Sequence, residues 1–333
     1  MVNYPLTLVG IVFVAMSVLL KHRTAVLLPC HNEAASIAKV VAAFKEALPT
    51  ADIYVYDNNS TDSTAEEALS AGAIVRREPL RGKGNVVRRM FSDVEADIYV
   101  MADGDETYDP NVAPELIRKL VDENLDMVVG SRVETDANSY RSGHKFGNCM
   151  LTGLVKHLFG YGFEDILSGY RVMSRRFIKS FPIHSHGFEI ETEMSVHALQ
   201  LQLPVAEVPT KYGLRPEESQ SKLRTYRDGF RILFTIISLL TTERPRLFYG
   251  VFALLLTLLS FGLAMPILCD YHLTGEVKRF PTAFLCLGLV LLAVQVLVFG
   301  FLLHSVCRGR VEMKRLAYLA QRGRPRNFCA SNV

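Results

Sequence analysis

Two runs near the carboxyl end constrain this chain more than any other feature. Leu247 to Cys269 and Phe280 to Leu303 contain no charged residue. A helix rises ~1.5 Å per residue, so either run can cross a hydrocarbon core ~30 Å thick. Both read as transmembrane helices joined into a hairpin by the link Asp270 to Arg279. Arg244 and Arg246 precede the first run, and Arg308, Arg310, Lys314 and Arg315 follow the second. The positive-inside rule then places both outer flanks, and the domain before them, in the cytoplasm, with Lys278 and Arg279 of the link running against it.

Composition agrees with a membrane setting. Of 333 residues, 49% are hydrophobic and 21% charged, an apolar excess concentrated at the two ends. The net charge of +3 is too small for a nucleic-acid partner, and the basic residues sit beside apolar segments instead of forming a groove-sized patch. A lipid bilayer is the expected basic-side partner. The 6 cysteines, Cys30, Cys149, Cys269, Cys286, Cys307 and Cys329, stand singly, a spacing that gives a zinc or disulfide framework little support. At the amino end, the uncharged run Pro5 to Leu20 stops at Lys21, His22 and Arg23. It falls short of the ~20 residues of a comfortable span, and a short anchor and an interfacial helix both fit it.

From Thr24 the pattern becomes regular. A short apolar strand ends at Pro29, and Asn32 and Glu33 open an Ala-rich helix to about Leu48. A second strand, Asp52 to Tyr56, runs into a loop dense in capping residues, Asp57 to Thr64, then a helix to Ser70. Ala73 to Val75 reads as a third strand, Arg81-Gly82-Lys83-Gly84 precedes another helix, and Asp126 to Val129 gives a further strand ending in Gly130-Ser131-Arg132. Between these lies Ala96 to Tyr108, a buried-strand pattern whose following loop carries Asp103-Gly104-Asp105. Strands alternating with helices predict a mostly parallel α/β sheet, whose ligands bind at the strands' carboxyl ends. Each polar cluster falls at such an end.

Carboxylates one residue apart on a turn can converge on Mg²⁺ or Mn²⁺, which favour oxygen ligands and leave room for phosphates. A solvated acidic turn is the alternative for Asp103-Gly104-Asp105 taken alone. A glycine-rich turn before a helix, as at Arg81 to Gly84, offers backbone amides and a lysine to phosphate.

Taken together and in order, Pro29-Cys30-His31-Asn32-Glu33, Asp57 to Asp62, Arg81 to Gly84, Asp103-Gly104-Asp105 and Gly130-Ser131-Arg132 resemble the motifs of family 2 glycosyltransferases. Ser168-Gly169-Tyr170-Arg171, Gly187-Phe188-Glu189 and the stretch Arg215 to Lys222 narrow the resemblance to polyprenyl- and dolichyl-phosphate glycosyltransferases. It covers roughly Thr24 to Leu240 and implies a GT-A fold, Rossmann-like, holding a nucleotide-sugar donor and a polyprenyl or dolichyl phosphate acceptor. By similarity, Pro29, Glu33 and Asp57 line the base and ribose pocket, with Lys83 nearby. Asp103 and Asp105 hold the metal and the donor diphosphate. Arg132, Arg171, Arg215 and Lys222 supply positive charge to the two phosphates. Dolichyl-phosphate mannose synthases of this family carry a ligand-like glutamine where this chain has Thr107, which leaves Glu106, Thr107 or water as the third ligand. The Arg81 to Gly84 turn leans towards the glucosyl-transferring branch and a uridine nucleotide, and GDP-mannose stays open.

Two segments suit a lipid interface. In Gly143 to Gly160, Phe146, Met150, Leu151, Leu154, Val155 and Leu158 recur at helical spacing, which also fits a core-packed helix. Arg224 to Leu240 starts with Arg224, Arg227 and Arg231 and turns wholly apolar. The expected division is an apolar segment to residue 23, a catalytic domain over 24–223, an interfacial helix over 224–246, a hairpin over 247–306 that can also join copies into a homo-oligomer, and a basic tail to 333 suited to anionic lipid. A processive polysaccharide synthase would share the sheet but carries a Gln-x-x-Arg-Trp motif, and this chain has no tryptophan. A non-catalytic scaffold of a glycan-assembly or flippase complex predicts a degenerate site, whereas Asp103, Asp105, Arg132, Arg171 and Lys222 are all present.

Overall fold

The structure, a computed structural model, describes residues 22–134, 163–185, 189–213, 241–277 and 279–321, with isolated positions between 152 and 159 and at 187 and 237. The segments 1–21 and 322–333, nearly all of 135–162, and most of 214–240 lie outside the described residues, and with them the amino-terminal apolar run and most of both expected interfacial helices.

Seven strands form one sheet in the order β3-β2-β1-β4-β6-β5-β7. They are β1 Thr24–Cys30, β2 Asp52–Asp57, β3 Ile74–Arg77, β4 Ile98–Met101, β5 Met127–Glu134, β6 Arg171–Ser174 and β7 Val205–Tyr212. β1 is buried at every residue, as a strand covered on both faces must be, which explains its unbroken apolar reading. It pairs in parallel with β2 and β4. β5 and β7 are also parallel, while β6 runs antiparallel between β4 and β5. The expectation of a mostly parallel sheet therefore holds. The last two strands were not legible: β6 has only 4 residues, too few for a period-two pattern, and β7 follows a helix without a glycine or asparagine signal.

The intervening helices are α1 Ala34–Ala47, α2 Thr64–Ser70, α3 Lys83–Asp93, α4 Ala113–Asp122, α5 Arg175–Ser180 and α6 Ile190–Gln200. α1 buries Ile37, Val40, Val41 and Phe44 at helical spacing against the sheet. α3 is entered through Gly82 at φ 123°, a backbone that only glycine adopts without strain. The carboxyl ends of β1, β2, β4 and β5 thus deliver the polar loops of the sequence to one edge of the sheet.

The chain divides into two compact units, residues 1–225 with 314–333, and residues 226–313. The second holds most of two long helices, α7 Pro245–Thr274 and α8 Phe280–Ala320. Each is long and apolar enough to cross a membrane. Ala253, Ser260 and Ile267 on one helix and Cys286, Ala293 and Gly300 on the other are buried, at seven-residue intervals that keep one seam facing the partner helix. Ser260 Oγ donates to the Cys286 carbonyl at 2.9 Å. A Cβ at Gly300 would lie 2.8 Å from Tyr249 Cβ, so glycine permits the close approach. α8 continues to Ala320, so residues 307–320, expected as the start of a tail, are helical.

Candidate active site

The Asp103-Gly104-Asp105 turn leaves β4 and is fixed from beneath. Ser36 Oγ donates to the Gly104 carbonyl at 2.7 Å. A Cβ on Gly104 would meet both Cys30 Sγ and Glu33 Oε2 at 2.5 Å, so only glycine lets the turn lie on the Pro29 to Glu33 segment. Asp105 is 1% exposed, and its Oδ1 accepts from the Thr107 amide at 3.3 Å and the Thr107 hydroxyl at 2.5 Å. Glu106 adopts φ 61°, and its carboxylate pairs with Lys39 at 3.5 Å on the surface. Of the alternatives for a third ligand, Glu106 is therefore turned away and the Thr107 hydroxyl is engaged by Asp105.

Lys83, the first residue of α3, places Nζ 2.5 Å from Asp103 Oδ1 and 2.6 Å from Glu191 Oε1. Burial pulls this ammonium's pKa down, but the two carboxylates outweigh burial and hold it above the usual lysine range. A Cβ at Gly169 would stand 2.9 Å from Asp103 Oδ2 and 3.3 Å from Lys83 Nζ, so the Ser168 to Arg171 segment closes on the same point. Its amide donates to the Tyr108 hydroxyl at 2.9 Å. Tyr108 packs in turn on Tyr170 and Tyr212, with ring centroids 5.3 and 5.4 Å away.

Beside this centre, the Asp57 loop is built around Asn58. The Asn58 amide donates to the Cys30 carbonyl at 2.8 Å. Its side chain donates to the carbonyls of Glu78 and Leu80 and accepts from the Gly82 amide at 2.7 Å. One residue thus ties β1, the loop after β3 and the start of α3 together. Asp57 itself is buried and accepts from the Ser60 amide at 3.1 Å. Glu33 donates its amide to Thr64 Oγ1 at 2.9 Å, and Pro29 lies opposite Tyr56 in the sheet.

The two described arginines of the expected set each have protein partners. Arg132 is bidentate on Asp165, at 2.6 and 2.8 Å, with its guanidinium over the Tyr212 ring at 5.5 Å. Burial pushes the Asp165 carboxyl up, but Arg132 outweighs this and holds it below the usual carboxylate range. Arg171 is 0% exposed. It donates to the carbonyls of Ser168 and Ile166 at 2.9 and 2.8 Å and to Ser195 Oγ at 3.0 Å, and burial lowers its pKa to about 10. In this structure Arg171 pins the 166–168 turn to α6. Arg215 and Lys222 lie outside the described residues. The chain reaches them from Gly213, whose amide donates to the Thr107 carbonyl at 2.8 Å beside the aspartate turn.

The glycosyl transferase family 2 model matches residues 25–181, the span from β1 through the aspartate turn to α5. Glycosyltransferase AglJ of Haloferax volcanii is 32% identical over 297 residues, covering 88% of this chain and 97% of the relative. The chain belongs to glycosyl transferase family 2. The dolichyl-phosphate hexose transferase of the same organism is 25% identical, covering 67% of this chain and 96% of its own. Among solved structures, glucosyl-3-phosphoglycerate synthase of Mycobacterium tuberculosis in complex with Mn²⁺, uridine diphosphate and glucosyl-3-phosphoglycerate superposes with a TM-score of 0.56 at 23% identity. That match covers 73% of this chain and 86% of the synthase and shows a shared GT-A-like fold.

In this family 2 glycosyltransferase, three side chains of the centre escaped the sequence reading. Glu191 sits on α6, which buries nearly every residue, so no amphipathic stripe singled it out. Its only signal was position, two residues beyond the Gly187-Phe188-Glu189 motif. Asn58 lay inside a motif as one capping residue among many, and Asp165 precedes Ser168 to Arg171 without a pattern of its own.

Proposed function

We propose that this glycosyltransferase moves one hexose from a nucleotide-sugar to a polyprenyl or dolichyl phosphate at a membrane surface. The observation that carries the reading is the Lys83 ammonium bound to Asp103 at the mouth of the sheet edge. A carboxylate that holds a cation there, beside a helix amino terminus, is suited to a metal and a diphosphate. The two long apolar helices and the similarity to a dolichyl-phosphate hexose transferase support a lipid-linked acceptor.

Asp103 and Asp105 fit Mg²⁺ or Mn²⁺. Among the described residues no third His, Cys, Asp or Glu completes a protein cage with them, and these ions commonly take one or two carboxylates and fill the shell with water and phosphate. When bound, the ion supplies charge neutralisation for the departing diphosphate. The acceptor is already largely anionic, its second pKa being about 6, so a phosphate oxygen can attack the anomeric carbon without a general base. The bond from that carbon to the diphosphate breaks as the new one forms, with inversion. Lys83 neutralises the leaving group, Pro29, Glu33 and Asp57 line the base and ribose pocket, and Arg215 and Lys222 take the acceptor phosphate. A UDP-sugar is favoured by the Arg81 to Gly84 turn. With a catalytic domain over 24–223, an interfacial helix over 224–246 and a two-span anchor over 247–306, the basic flanks favour catalysis on the cytoplasmic side, where nucleotide sugars are made.

The test is transfer of radiolabelled sugar into organic-extractable lipid. Membranes with wild-type protein or Asp105→Asn receive UDP-glucose, UDP-N-acetylglucosamine or GDP-mannose, with Mg²⁺ or Mn²⁺ and polyprenyl phosphate. A mild-acid-labile product made by the wild type alone supports the reading and names the donor. Purified protein that binds no nucleotide in the presence of metal sinks it.

A further inference from the structure

Lys83 is held at two points that differ in kind. Asp103 lies on a loop with 25% of its side chain exposed, whereas the Glu191 side chain is 5% exposed. Glu191 lies in the first turn of α6, and its carbonyl accepts from Ser195 Oγ at 3.0 Å, the same hydroxyl that Arg171 grips at 3.0 Å. The buried arginine thus braces the helix that carries the glutamate. An ammonium has three donors and no acceptor. If Asp103 turns to a divalent cation, the donor it occupied becomes available to the space beside the aspartate turn, while Glu191 keeps the nitrogen in place.

We propose that Glu191 is a positioning residue for Lys83, holding the ammonium so that it donates to the diphosphate of the donor nucleotide once Asp103 engages a cation. This deepens the nucleotide-sugar reading and rests on it. Without the charge of Glu191, Lys83 is drawn more strongly to Asp103 and competes with the cation for that carboxylate. Glu191→Gln keeps the shape and an acceptor oxygen, so it isolates the charge.

Calorimetric titration of the full chain in detergent tests this, with UDP, GDP, UMP and GMP, with and without Mn²⁺. In Glu191→Gln the Mn²⁺-dependent affinity for the preferred diphosphate is expected to fall about tenfold, the scale of one charge-assisted hydrogen bond. The matching monophosphate should bind within about twofold of wild type, which also reports that the variant is folded. In a Lys83→Met background the glutamine should add no further loss, because the effect passes through the lysine. Unchanged diphosphate affinity, equal loss for mono- and diphosphate, or full additivity with Lys83→Met would each overturn the proposal. Wild-type protein that binds none of the four nucleotides is a different failure, that of the nucleotide-sugar reading itself.

Discussion

Asp103 and Asp126 stand at opposite ends of the same sheet and are held in opposite ways. Asp126 precedes β5 at the edge away from the site and is 1% exposed. It accepts from Ser174 Oγ at 2.7 Å, Arg176 at 3.2 Å and the Tyr318 hydroxyl at 2.6 Å, and the Arg176 guanidinium also lies 4.3 Å over the Tyr318 ring. Its partners come from β6, α5 and the last turns of α8, all fixed by packing. Asp103 is partly exposed and, among the described residues, is held by a single lysine. Satisfied, buried networks rigidify a fold, while a carboxylate left on one displaceable partner keeps its remaining interaction energy for a ligand. The enzyme separates stability from chemistry along its strands.

Exchanging charge for amide at each end is the largest way to break this contrast. Asp103→Asn is expected to cut sugar transfer by about 10²–10³-fold, the scale of losing one electrostatic contact to a developing anion, with the melting temperature held or raised. Asp126→Asn should do the reverse. It leaves a half-buried arginine and a tyrosine hydroxyl short of their acceptor and costs about 2–4 kcal/mol of stability, while transfer per folded molecule is retained. Thermal unfolding in detergent alongside transfer rates separates the two, and a shared phenotype would erase the distinction.

Arg171 sharpens the same point. Its donors go to Ser168, Ile166 and Ser195 and its surface is closed, so Arg171→Met is expected to act first on stability, by about 3 kcal/mol. The aspartate site should suffer only through Gly169 and α6. Arg171→Lys should be nearly as harmful, because a point charge cannot replace the planar fork that meets two carbonyls and a hydroxyl at once. A lysine variant with wild-type stability and a specific defect in phosphate binding would return the residue to the substrate.

Such an outcome bears on what the chain shows before it folds. The parallel half of the sheet was legible because β1, β2 and β4 are buried on both faces and end in polar loops, a pattern local in sequence. The aspartate turn was legible for the same reason. Arg171 was not, since a basic residue in a motif reads alike whether it faces a phosphate or two buried carbonyls, and the difference lies in β6 being inserted between β4 and β5. Glu191 and Asp165 depend on partners 108 and 33 positions away in Lys83 and Arg132, separations at which no periodicity speaks. Tyr318 is the extreme case, reaching Asp126 across 192 positions.

That last contact carries a smaller prediction. Tyr318→Phe removes one hydroxyl from Asp126 but keeps the ring under Arg176, so a loss of about 1 kcal/mol is expected, without change in donor affinity. Tyr318→Ala removes both and should cost more. Equal melting temperatures for phenylalanine and wild type would leave Arg176 and Ser174 as the sufficient partners.

The smallest effect is a pH dependence confined to the structural end. His197, on α6, is fully buried, and neither ring nitrogen has a hydrogen-bond partner among the described residues. Phe177 and Phe181 lie 5.5 and 5.0 Å from its ring. Burial first, then the nearby Lys314, lowers its pKa from 6.5 to about 3. Below pH 6.5 the unfolded chain takes up a proton that the folded one refuses, so stability is fully present above that value and is lost as pH falls towards 3. Between pH 7.5 and 5.5 the loss is about 1 kcal/mol, a fall of about 2–4 °C in melting temperature for a domain of this size. His197→Phe, which cannot titrate, should reduce that fall by about the same amount while leaving nucleotide affinity at pH 7.5 unchanged. Parallel melting curves for the two proteins across this range would show that the imidazole is protonated in the folded state, and that acid acts on the enzyme elsewhere.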